Sequence, residues 1–120
     1  MIIPNDKMTV LSLPEIYRRE LFFYTNLSKV FAELQDEFNV PSEDRFKSVR
    51  CFEESNDEAL IFENMTKKGY RTLDRTEVIS LEYAELAIKQ LARFHALSFM
   101  LEHKRPSYFA KNIRNLNQPY

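Results

Sequence analysis

The chain has 120 residues, 44% of them hydrophobic, with ten Phe and six Tyr and a formal net charge of −1, which excludes a disordered composition and bounds it to one domain or a piece of a larger one. Residues 1–60 hold 7 Lys/Arg against 12 Asp/Glu, and residues 61–120 hold 10 against 6, a distribution that does not point to nucleic acid as a partner. The lone cysteine, Cys51, excludes an internal disulfide, and the lone glycine, Gly69, excludes both the P-loop and the dinucleotide fingerprint, which need several.

The first residues, Met1 to Lys7, lack a basic stretch ahead of their apolar pair, so no signal peptide is read there. No apolar run approaches the ~20 residues that span a bilayer. A cytoplasmic protein with no membrane span is the expectation. The first helix is predicted from about Leu13 to Phe38: Ser12 and Glu15 have capping-box spacing, and Pro14 lies in the first turn. Its apolar stripe runs through Ile16, Tyr17, Phe23, Tyr24, Leu27, Val30, Phe31, Leu34 and Phe38, and Val40-Pro41 ends the pattern.

Two short strands are expected next, roughly Phe46 to Glu53 and Glu58 to Met65. Between them Glu54-Ser55-Asn56-Asp57 has turn chemistry, so an antiparallel hairpin is predicted. The run Ala59-Leu60-Ile61-Phe62 reads as buried on both faces. Gly69 punctuates a polar crossover, and Ser80 caps a second long helix from about Leu81 to His103. The stripe of that helix is Ala84, Ala87, Ile88, Leu91, Phe94, His95, Ser98 and Leu101; Pro106 stops it, and the tail is not assigned.

Few side chains are candidates for chemistry. Glu20 falls within the first helix's apolar stripe, where a carboxylate needs a cation or strong hydrogen bonds. Either the stripe is wide and Glu20 lies at its edge beside Arg18, Arg19 or solvent, or it belongs to a buried ion pair. Glu63, Asn64 and Met65 stand where a strand leaves its sheet, and free backbone groups at such a point can pair with a nucleobase edge. His95 reads as a core histidine, and the run Lys67, Lys68, Arg71 and Arg75 reads as a solvated loop or a phosphate contact. No metal-ligand spacing and no nucleophile–base arrangement is legible.

The segment from Glu58 to Arg75 followed by Leu81 to Leu101 resembles the insect ecdysteroid kinase-like family, related to choline and aminoglycoside kinases. The resemblance is carried by Glu63, Met65, Gly69-Tyr70, Asp74-Arg75 and the run Leu91-Ala92-Arg93-Phe94-His95-Ala96-Leu97-Ser98, with Glu20-Leu21-Phe22-Phe23-Tyr24 upstream. It covers residues from about 14 to 101. Asn64 departs from it, since aspartate is usual there.

The resemblance implies an α+β, partial protein-kinase-like fold, with a small-lobe helix and β-hairpin, a hinge, and the first long helix of the large lobe. Residues 1–65 would belong to the small lobe, 66–79 to the crossover and 80–120 to the start of the large lobe. It implies ATP and magnesium as cofactors and a small-molecule alcohol, such as an ecdysteroid, as acceptor. Glu20 becomes the helix carboxylate that pairs with a phosphate-binding lysine, and Glu63, Asn64 and Met65 become the adenine hinge, acting through backbone atoms. His95 becomes a structural residue. The lysine-bearing strand, catalytic loop and magnesium-binding aspartate find no counterparts in these 120 residues, with Ile2-Ile3-Pro4-Asn5-Asp6 resembling the stretch just after that lysine. The chain thus reads as the middle of a kinase-like domain, with an inactive remnant or interaction module as the alternative.

Overall fold

A computed structural model describes residues 13–116. Helix α1 spans Leu13–Phe22, a π-helical turn follows at Phe23–Leu27, and α2 spans Ser28–Glu37. Together they form the expected first helix, interrupted by one widened turn. The Thr25 hydroxyl donates to the Leu21 carbonyl and the Ser28 hydroxyl to the Tyr24 carbonyl, each at 2.7 Å. These bonds supply donors where the backbone ladder loosens. Helix α2 ends on Asn39, whose φ of 53° is left-handed. The Asn39 N–H reaches the Asp36 carbonyl and the Val40 N–H reaches that of Gln35, a Schellman closure in which asparagine takes glycine's place.

Helix α3 spans Leu81–Lys104, and the Ser80 hydroxyl accepts from the Tyr83 N–H as the expected cap. Pro106 does stop it, yet also opens the short helix α4, Pro106–Phe109, which runs into a π turn at Ala110–Arg114. Ser12, the Ile2-to-Asp6 stretch and the last four residues lie outside the described residues.

Helices α2 and α3 pack together over a small core of Leu27, Phe31, Leu34, Leu97 and Leu101. Around it Phe23, Phe31, Phe46 and Phe94 meet mostly edge to face, with ring centroids 5.6–6.4 Å apart. Such pairs add specificity to apolar burial. Polar ties close the rim. Arg105 donates to Glu33 and Glu37 at 2.8 Å each, and Arg93 donates to the Glu43 carbonyl at 3.0 Å.

The α+β architecture is not found. Among the described residues there is no strand and no sheet, only one antiparallel bridge between Cys51 and Phe62. The bridge is flanked by the Phe52 N–H on the Ile61 carbonyl (2.8 Å) and the Glu63 N–H on the Arg50 carbonyl (3.0 Å). A ladder needs the reciprocal bond at each flank, and side chains intercept both. The Arg50 N–H goes to the Glu63 carboxylate (3.1 Å), and the Ile61 N–H goes to the Ser55 hydroxyl (2.8 Å). Asn56 then captures the N–H groups of Glu58 and Ala59. Short polar side chains thus outcompete the backbone partner, as they do in turns. A hairpin with no third strand is marginal in any case. The expected two-sided burial of residues 59–62 fails with it, since Ala59 and Ile61 are exposed.

Candidate functional site

The segment following the bridge is the better-formed of the two candidate sites. Glu63 is half-buried, and its carboxylate accepts from the Lys68 ammonium at 2.8 Å and from the Arg50 N–H. The lysine first, and then that N–H, hold the Glu63 carboxyl below its ordinary value. Asn64 adopts φ −78° and ψ 97° and accepts the Thr66 N–H at 3.0 Å, capping a 3₁₀ turn over Met65–Lys68. Gly69 closes that turn with a φ of 88°, a conformation that favours glycine. A Cβ there would meet nothing within 4 Å, so the backbone and not crowding demands the residue.

This geometry leaves specific groups open. The Met65 carbonyl accepts the Tyr70 N–H and the Asn64 carbonyl accepts the Lys67 N–H. Among the described residues the Glu63 carbonyl and the Met65 N–H carry no hydrogen bond. Both residues line a cavity of about 460 Å³, walled also by Val49, Phe62, Tyr70 and Arg71. An acceptor and a donor two residues apart match a planar heterocycle bearing adjacent amino and ring-nitrogen groups. The volume lies within the ordinary ~300–1,000 Å³ range of small-molecule sites.

Glu20 occupies a different place. It is exposed, so its carboxylate does not face the core. The helix stripe is wide enough to put it at the edge. It lines a second cavity, of about 330 Å³, with Arg19, Phe22, Phe23, Leu27, Phe94 and others. One turn on, Tyr24 also borders this cavity; burial, then the Glu20 carboxylate, then Cys51 push the pKa of its hydroxyl up. The Tyr24 ring meets Phe62 at 4.7 Å, edge to face. The helix carrying Glu20 therefore touches the segment that leads into 63–65. None of the cavities found among the described residues contains both Glu20 and residues 63–65.

His95 is exposed, contrary to its expected place in the core. The core face of α3 runs through Phe94, Leu97 and Leu101, rotated from the expected stripe, and Leu97 was absent from that stripe. Lys67, Arg71 and Arg75 are exposed as a solvated loop would be, and Lys68 is spent on Glu63. Among the described residues no group of three or more His, Cys, Asp or Glu is placed to hold a metal ion. No helix among them is long and apolar enough to cross a membrane.

Arg71 belongs to the basic run read as a solvated loop or a phosphate contact, whereas Arg19 and Tyr70 carry little signal as cavity residues. An arginine within a helix reads as solvent-facing, and the only signal for Tyr70 is its position just after Gly69.

The family described as ecdysteroid kinase-like matches residues 1–120, the whole chain. No curated protein and no solved structure matches it.

Proposed function

We propose that this chain, which belongs to the ecdysteroid kinase-like family, supplies the adenine-binding segment and helix carboxylate of an ATP-dependent phosphotransferase acting on a small-molecule alcohol, such as an ecdysteroid. The observation that carries the proposal is the open acceptor–donor pair at Glu63 and Met65 on the wall of a cavity large enough for a nucleobase. Recognition through backbone atoms does not require an aspartate at position 64, and the Asn64 side chain is occupied in capping the turn. Glu20 stands on the solvent side of α1, where its carboxylate is open to a cation such as a phosphate-positioning lysine. ATP is the cofactor that family membership supports; the chain's own part is to orient the base.

The test removes one N–H. Met65 is the first residue of its 3₁₀ turn, and Asn64 already has the extended backbone that a following proline requires. Met65→Pro therefore deletes the donor with little strain, and Met65→Ala keeps it. Adenosine titrated into the protein should shift the backbone amide resonances of residues 63–65. Met65→Pro should weaken binding by about tenfold, the loss of roughly one hydrogen bond, and Met65→Ala should not. Equal affinity in Met65→Pro, or shifts confined to other residues, overturns the assignment.

A further inference from the structure

The cavity bordered by Glu20 contains the least satisfied polar group among the described residues. The Arg19 Nε and Nη2 atoms are sealed from solvent and have no hydrogen-bond partner there. A guanidinium stays charged at every accessible pH, and burying part of it without a counter-charge or acceptors is unfavourable. Glu20, next along the helix, borders the same cavity but gives these two nitrogens no hydrogen bond. The buried part of the Arg19 guanidinium is therefore left without an acceptor.

The remaining walls are apolar. Phe22, Phe23, Leu27, Phe94 and Ile113 contribute from α1, the π turn after it, α3 and the π turn after α4. Arg19 itself lines the space. An anion arriving in the cavity can engage the guanidinium, whose delocalised charge lets the contact compensate the buried part.

We propose that this cavity binds a small anionic amphiphile, with its apolar body against Phe22, Phe23, Leu27 and Phe94 and its carboxylate or equivalent head on the Arg19 guanidinium. The volume of about 330 Å³ suits a medium-length alkyl chain. The proposal does not rest on residues 63–65, which line a different cavity; Glu20 borders this space and also carries the proposed phosphotransfer role.

Calorimetry with octanoate and with 1-octanol, at concentrations where neither aggregates, separates charge recognition from apolar partition. Octanoate should bind saturably at one site and at least about tenfold more tightly than octanol. Arg19→Met keeps the apolar stem and removes the charge, so it should reduce octanoate to the level of octanol and leave octanol unchanged. Arg19→Lys should retain most of the preference. A second measurement needs no variant: octanoate should shift the methyl resonances of Leu27 and Ile113 in the unmodified protein. Equal binding of acid and alcohol, no saturable site, undiminished octanoate binding in Arg19→Met, or shifts confined to exposed Ile88 and Leu91 on α3 would each refute it.

Discussion

Gln35→Leu is the most exacting test of how the loop that leads to the site is held. Gln35 is 5% exposed, the one buried polar residue among those described, beside the apolar core. Its Oε1 accepts the Phe46 N–H at 2.7 Å and its Nε2 donates to the Phe46 carbonyl at 3.3 Å. One amide side chain thus does for Phe46 what a neighbouring strand would do, and it fixes the phenyl ring against Phe23, Phe31 and Phe94. Leucine has similar bulk but satisfies neither group. Each bond contributes about 1 kcal/mol net, and each buried group left unpaired costs ~1–3 kcal/mol. The Phe46 groups are only partly buried, and leucine gains some apolar transfer energy, so the expected destabilisation is about 2 kcal/mol. Urea unfolding should show a midpoint lowered by about 1 M with an unchanged slope. Gln35→Glu sharpens the test. Its carboxylate can accept from the Phe46 N–H but opposes the carbonyl, so its deficit should shrink as pH falls and the acid gains a proton to donate. A Gln35→Leu protein within about 0.5 kcal/mol of the parent would mean that packing alone positions Phe46.

Other outcomes follow from single contacts. The Glu63 carboxyl titrates lower in the folded chain than in the unfolded one. Its contribution is therefore present above the ordinary carboxylate range and lost as pH falls through the folded value; a stability profile below about pH 4.5 should be flatter for Glu63→Gln than for the parent. Gly69→Ala should cost about 1 kcal/mol in thermal or urea unfolding, because φ at 88° is strained for alanine although space is free; a neutral result would mean the turn relaxes. Arg105→Ala should lower stability by about 0.5–1 kcal/mol, because it removes two exposed pairs, to Glu33 and Glu37. That difference should narrow in 1 M salt.

What was legible in the sequence was what local spacing controls. The Ser80 cap, the start of α3 and the full run of the first helix are encoded in side chains within a turn of one another, and all are found. The π turn was hidden because residues 23–27 keep the apolar periodicity of an α-helix to within one position. The hairpin failed for a non-local reason. The pattern from Phe46 to Met65 has the right apolar residues, but pairing depends on whether Arg50 and Ile61 find backbone or side-chain acceptors, and nothing in the spacing announces that Glu63 and Ser55 win. Of the site, Glu63, Asn64 and Met65 were placed by their position after an apolar run. Their open backbone groups carry no side-chain signature at all, and Arg19 looked like any solvated helix arginine.

Helix α3 shows where periodicity stops being informative. Its stripe through Ile88 and Leu91 satisfies every rule for a core-facing surface, yet Ile88 is 67% exposed and only the half beyond Arg93 packs. The core face follows Phe94, Leu97 and Leu101 because α2 and the Phe46 loop approach from that side. An apolar stripe records that burial is favourable without recording which neighbour provides it. The helix could satisfy two faces in turn along its length, and the sequence alone merges them into one.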